Sequence, residues 1–257
     1  MDILEELTER RRCDAEEMAV REPIAALEKR ALTVMPAKDF RGAFAKEGIN
    51  IIAELKKASP SEGLIRAEFD PVAIAKEYAA NGAAAMSVLC EPHRFLGSDE
   101  YLCAVRAAVE TPLIYKDFLS TPFQVLRARA CGADAILLIM AVLDDQKVVE
   151  LKRLANDLGM VALVETHSEE EIKRAVGCEA KLIGVNCRDL RTFKTDPSLT
   201  AELVAKIPNG VTKIGESGIK THDDILKVKA AGADGFLVGT TLMRSSSPGE
   251  KLKELKG

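Results

Sequence analysis

The residues that could do chemistry in this chain stand at the ends of short apolar runs. Ile51-Ile52-Ala53 leads into Glu54-Leu55-Lys56, and Pro112-Leu113-Ile114-Tyr115 into Lys116-Asp117-Phe118. Val161-Ala162-Leu163-Val164 leads into Glu165, and Ile183-Gly184-Val185 into Asn186-Cys187-Arg188-Asp189. Thr212-Lys213-Ile214-Gly215 leads into Glu216-Ser217-Gly218. Glu54 and Lys56 are two positions apart, so on a strand both side chains face the same way. A buried, unpaired charge costs several kcal/mol, and chains rarely carry one without compensation or function. Five strand ends of this kind therefore read as one site rather than five loop starts. The bases Lys56, Lys116 and Arg188 balance the acids Glu54, Glu165 and Glu216. A bound anion would tip that balance, so the expected partner is a small anionic molecule.

Two glycine-containing turns offer a place for a phosphate. Gly215-Glu216-Ser217-Gly218-Ile219 follows one apolar run, and Val238-Gly239-Thr240-Thr241 follows the last, just before a short helical stretch. Glycine lets backbone N–H groups approach phosphate oxygens closely.

The elements that must position these groups repeat a single unit. A helix-like stretch ends at glycine, a short apolar run follows, and a polar turn closes it. Examples are Asn81-Gly82 before Ala85–Leu89, Cys131-Gly132 before Ala135–Leu138, and Ala231-Gly232 before Phe236–Val238. Glycine suits the left-handed residue past a helix end. An apolar run buried on both faces marks a parallel strand. Eight such runs lie near 50–55, 85–90, 112–115, 135–140, 160–164, 182–186, 212–215 and 235–239. Helix starts are predicted at Asp70-Pro71, Thr121-Pro122, Asp144 and Thr221. Eightfold alternation predicts an α/β fold, a (β/α)8 TIM barrel with extra N-terminal helices. The whole chain is expected to form one barrel domain, with residues 1–45 as the helical extension. The charge-dense segment Glu5–Arg12 reads as a solvated helix face.

Composition closes off other classes. With 257 residues, 47% hydrophobic and 30% charged, the chain can bury a large core and cover it, which excludes a disordered or fibrous protein. The longest apolar run, Ala135–Leu143, falls well short of the roughly 20 residues needed to span a bilayer. A net charge of −4, 4% aromatics and no Trp argue against nucleic acid and anionic membranes as partners. Six cysteines without a CxxC pair fit small buried hydrophobes in a reducing compartment. MDILEELTERRR has no apolar leader segment, so a cytoplasmic location is expected. Three histidines, His93, His167 and His222, share no metal-binding spacing, and no GxSxG elbow is present. No segment marks a subunit interface, and a monomer is expected.

From Ile52 to Gly63 the chain reads IAELKKASPSEG, and this string resembles the first-strand segment of the indole-3-glycerol phosphate synthase family. Further matches are Ser87-Val88-Leu89, Phe95-Leu96-Gly97-Ser98, Lys116-Asp117-Phe118, Leu163-Val164-Glu165, Gly184–Leu190 and Gly215–Ile219. The resemblance runs in order from about residue 45 to 245. Two positions depart from the family's pattern: Cys90 stands where Thr is frequent, and Glu62 where Lys is frequent.

The resemblance implies a lyase of tryptophan biosynthesis. Its substrate would be 1-(2-carboxyphenylamino)-1-deoxyribulose 5-phosphate, closed to a pyrrole ring with loss of carbon dioxide and water. It implies no metal or organic cofactor. Lys116 would be the general acid at the substrate ketone, and Lys56 would pair with the carboxylate. Glu54 and Glu165 would handle hydroxyl and amino protons. Asn186 and Arg188 would orient hydroxyls and neighbouring acids, and Glu216 would position the lysines. Ser217, Gly218, Gly239 and Thr240 would hold the phosphate, Ser59 would lie on a mobile first loop, and Phe95 and Phe118 would border the aromatic ring. Alternatives are a Schiff-base aldolase at Lys116, phosphoribosylanthranilate isomerase, or a phosphate-binding protein without turnover. The isomerase would want a cysteine at the end of the first strand, where this chain has Glu54 and Lys56.

Overall fold

The computed structural model describes residues 3–187 and 197–257. Eight parallel strands close into a barrel: β1 (Ile51–Leu55), β2 (Ala85–Leu89), β3 (Leu113–Lys116), β4 (Ala135–Ile139), β5 (Val161–Thr166), β6 (Leu182–Asn186), β7 (Thr212–Glu216) and β8 (Gly235–Val238). Each strand pairs with its sequence neighbours, and β8 closes onto β1 with Ile52 opposite Leu237. The eight apolar runs and the eight strands coincide to within a residue or two.

Local chemistry explains the alternation. Asp70 accepts from Val72 N and Ala73 N at 3.0 Å each and starts the helix Pro71–Ala80. Thr121 with Gln124, and Thr221 with Asp224, form capping boxes that start Pro122–Ala130 and His222–Ala230. Asp144 accepts from Lys147 N at 2.7 Å to start Asp145–Asp157. At the far end of Pro122–Ala130 the chain turns through Gly132, whose φ of 90° a side chain would resist. Ala133 N then returns to Ala128 O at 3.1 Å.

Strand alternation sorts the apolar residues into two cores. Ile51, Ala53, Val88, Tyr115, Ile136, Leu138, Val164 and Val185 pack outward beneath the helices. Ile52, Ala85, Ile114, Ala135, Leu163, Leu182 and Ile214 fill the barrel itself. The inward positions one step further along β1, β3, β5 and β7 are Glu54, Lys116, Glu165 and Glu216. Hydrophobic packing thus fills the lower barrel, and the charged groups crown it.

The N-terminal helices are α1 (Ile3–Arg21) and α2 (Ile24–Thr33), followed by a short 3-10 turn at Gly42–Phe44. The expectation of a solvated face over Glu5–Arg12 holds only in part. Arg12 and Glu9 pair in solvent at 2.5 Å, but Leu7 and Arg11 are buried. Arg11 grips Asp117 through Nη2 at 2.6 Å and reaches Asp14 at 2.7 Å. Asp117 follows the last residue of β3, so α1 is tied across the C-terminal mouth of the barrel. Asp14 also meets His93 Nε2 at 2.7 Å, which fastens the loop after β2 to the same helix. The spacing of Leu4, Leu7, Arg11 and Ala15 puts Arg11 on the buried stripe of α1, but it cannot reveal the partner, which lies 106 residues away.

The segment read as a first loop is a small antiparallel hairpin, Ala58–Ser59 against Gly63–Leu64. Two-residue strands leave no periodicity to detect.

Removing one partner of a buried ion pair leaves an uncompensated charge. Arg11→Met should cost about 3–5 kcal/mol in urea unfolding. The double variant Arg11→Met/Asp117→Asn should recover part of that loss.

Candidate active site

The crown of charges is built by strand register. β3 delivers Lys116, β5 delivers Glu165, β6 delivers Asn186 and β7 delivers Glu216, with Asn186 directly opposite Glu216. Lys116 Nζ lies 3.2 Å from Glu165 Oε2 and 3.0 Å from Glu216 Oε2. Asn186 Nδ2 donates to Glu165 Oε1 at 3.2 Å, and Ser217 Oγ donates to Asn186 Oδ1 at 2.6 Å. Across the mouth, Lys56 Nζ meets Glu54 Oε2 at 2.6 Å. Lys56 and Lys116 line the same cleft of about 790 Å³, within the range of small-molecule sites.

Two glycines make room for this arrangement. A methyl group on Gly184 would overlap Glu216 Oε1, and one on Gly239 would overlap the Glu54 carboxylate and press on Lys56 Nζ. Both positions belong to the barrel wall that the charged side chains lean against.

One ammonium group serves two buried carboxylates, and this sets their protonation. Burial alone would lower the Lys116 ammonium, but Glu216, Glu165 and Glu54 outweigh it and hold it above its ordinary value. Burial would raise Glu165, but Lys116, His167 and Asn186 outweigh it and hold that carboxyl well below the ordinary range. Glu216 goes the other way. Burial raises it, Lys116 pulls it back, and the neighbouring Glu165 charge pushes it up again, to about 7. The pair thus separates into a fixed anion at Glu165 and a carboxyl at Glu216 that titrates near neutrality.

The cleft has two unlike ends. At one end Phe95 and Phe118 meet with ring centroids 6.2 Å apart, and Leu4 and Leu7 of α1 complete an apolar wall. Buried Glu91 holds the first of these rings in place, accepting from Phe95 N at 2.8 Å and from His93 N and Arg94 N at 2.7 Å each. At the other end lie Ser217, Gly218, Gly239 and Thr240, with Lys220 and Arg244 beside them. Ser217 and Gly218 both adopt left-handed backbone, at φ 64° and 77°. Gly239 and Thr240 open the short helix Thr240–Met243. Thr240 Oγ1 is buried with no hydrogen-bond partner among the described residues, so it is available to an anion. Arg244 pairs with Glu62 of the hairpin, and buried Ser59 of the same hairpin lines the cleft.

The sequence-predicted residues Glu54, Lys56, Ser59, Phe95, Lys116, Phe118, Glu165, Asn186, Glu216, Ser217, Gly218, Gly239 and Thr240 all line this one cleft. Arg188 lies outside the described residues. Sequence reasoning missed Leu4, Leu7, Glu91 and His167. For His167 the signal was present: it stands two positions beyond Glu165, the spacing that places Lys56 beside Glu54.

Folding favours the protonated form of Glu216, so its contribution to stability declines as pH rises from the ordinary carboxyl value of 4.5 through about 7. The variant Glu216→Gln cannot ionise. Its free energy of unfolding should therefore increase relative to the parent's between pH 5 and pH 7.5, as read by denaturant titration at each pH.

Comparison with known proteins shows which sequences the chain resembles. The sequence model of the family described as indole-3-glycerol phosphate synthase matches residues 4–255. A protein of that name from Acidithiobacillus ferrooxidans is 43% identical over 258 residues, covering 99% of this chain and 98% of its own length. One from Acetivibrio thermocellus is 46% identical over 219 residues, covering 85% of this chain and 84% of its own. Among solved structures, 3-hexulose-6-phosphate synthase from Salmonella typhimurium superposes with a TM-score of 0.67 at 12% identity, covering 81% of this chain and 97% of that one. That likeness concerns the fold alone. On sequence, the chain belongs to the indole-3-glycerol phosphate synthase family.

Proposed function

We propose that the crown of charges closes the pyrrole ring of 1-(2-carboxyphenylamino)-1-deoxyribulose 5-phosphate. The observation that carries the reading is the shared ammonium of Lys116, in one cleft with the rings of Phe95 and Phe118 and with two glycine-containing turns. The phosphate would sit against Ser217, Gly218, Gly239 and Thr240, and the aromatic ring between Phe95 and Phe118. Anchoring both ends holds the ring carbon against the ketone, and such orientation contributes several kcal/mol to ring closure.

Lys116 would donate a proton to the ketone oxygen as the carboxyl-bearing ring carbon attacks the carbonyl carbon. A carbon–carbon bond forms, and the ketone becomes a hydroxyl. Lys56 would hold the substrate carboxylate until carbon dioxide leaves and the ring regains its aromaticity. The new hydroxyl would then depart as water, with Lys56 supplying a proton and Glu54 removing one from the substrate. Glu165 and Glu216 keep Lys116 charged between turnovers, and Asn186 and Arg188 orient these acids and the substrate hydroxyls. No step calls for a metal or organic cofactor. The small anionic substrate is the only partner this reading needs, and cysteines present as thiols fit a cytoplasmic setting. No helix among the described residues is long and apolar enough to cross a membrane.

A Schiff-base aldolase needs a neutral lysine amine. The carboxylates around Lys116 favour the opposite, a fixed ammonium. Incubation with the carboxyphenylamino sugar phosphate should yield indole fluorescence. Lys116→Met should reduce kcat by about 10²–10⁴-fold, the usual worth of a general acid, with circular dichroism unchanged. Borohydride with substrate should leave no covalent adduct, and a trapped adduct would favour the aldolase.

A further inference from the structure

His167 follows β5 and faces the same way as Glu165, two residues earlier. It does not line the cleft, yet it is largely buried, with 16% of its side chain exposed. Its ring lies between two carboxylates. Nε2 is 3.3 Å from Glu165 Oε1, an ion-pair distance without hydrogen-bond alignment, and Nδ1 is hydrogen-bonded to Glu171 Oε2 at 3.3 Å. Glu171 belongs to α7 (Glu169–Gly177), the helix that follows β5, and the same Oε2 accepts from His167 N at 2.8 Å.

This geometry has a consequence for the charge on the ring. A neutral imidazole carries one N–H, so one of its nitrogens would turn a lone pair toward a carboxylate oxygen. The imidazolium form sets a positive charge between both carboxylates, donating to Glu171 and standing at ion-pair distance from Glu165. Other charged groups nearby, among the described residues, are engaged elsewhere. Lys116 lies beyond Glu165 on its other oxygen, and Arg174 of α7 is turned toward Asp145 and the carbonyls of Met140 and Leu143. From β6, the amide of Asn186 also donates to Glu165 Oε1.

We propose that His167 is a positioning residue of the site: an imidazolium bridging Glu165 to Glu171, which fixes the Glu165 carboxylate in place and keeps it ionised beneath Lys116. Burial opposes a charged ring, but Glu165 and Glu171 outweigh it and carry the imidazole up to about 10. The Glu165–Lys116 pair is therefore steadied from behind by a group that never meets the ligand. Through Glu171, the start of α7 is connected to the reacting centre. The kinetic part of this inference rests on the proposed ring closure, whereas the state of the ring does not.

The test has two parts. The chain has only three histidines, so ¹⁵N spectra of the whole protein can be assigned with His167→Asn. At pH 8 both ring nitrogens of His167 should carry protons in the parent protein. Glu171→Gln should lower the pH at which the ring loses one. A singly protonated ring at pH 8 would overturn the proposal, whether or not the enzyme turns over the proposed substrate. In steady-state assays His167→Asn should lower kcat about tenfold and leave KM within about twofold, and Glu171→Gln should lower kcat by less. An unchanged kcat in His167→Asn, or a fall in kcat/KM carried by KM alone, would overturn the proposal.

Discussion

A single ammonium group shared by two buried carboxylates organises the mouth of this barrel. Lys116 cannot fully neutralise both Glu165 and Glu216, and the low-dielectric surroundings make the remainder expensive. The molecule resolves the excess by dividing the two acids. Glu165 collects the amide of Asn186 and the ring of His167 and stays ionised. Glu216 has one oxygen without a donor among the described residues and holds its proton more tightly. Two residues of one chemical type thereby acquire different properties from their neighbours alone.

The scaffold is shaped around that division. Parallel register places Asn186 beside Glu216 and Glu165 beside Gly184, and the missing side chain at Gly184 leaves space for the Glu216 carboxyl. Gly239 does the same for Glu54 and Lys56 on the opposite side. Below this layer the interior is hydrocarbon, so the charges cannot sink. Above it, α1 is fastened to Asp117, next in sequence to Lys116, and adds Leu4 and Leu7 to the apolar wall. The N-terminal helix is thus part of the cleft rather than an appendage.

Most of the barrel was legible because most strands announce themselves twice, by a glycine after the preceding helix and by an apolar run too short for a helix. The charged crown was legible because ionisable residues at the ends of buried strands have few structural excuses. The Arg11–Asp117 pair was not, since the helical spacing that puts Arg11 on the buried stripe of α1 says nothing of a partner distant in sequence. The hairpin at 58–64 was not, since its strands are two residues long. His167 was not, since the spacing of the three histidines speaks only to metal ligands, whereas its partners are the carboxylates of Glu165 and Glu171.

The hairpin carries a further consequence. Glu62 stands beside Arg244 at the end of the cleft where the phosphate is placed, and Lys220 is the other cation there. Among these described side chains the formal charge is only one positive unit. They are exposed to solvent ions, whose screening length is about 8 Å at physiological strength. Three such charges exert little pull on a distant dianion. In the proposed reading, recognition of the phosphate then falls to short-range contacts with the glycine turns and the Thr240 hydroxyl, so the rate of encounter should vary only weakly with ionic strength.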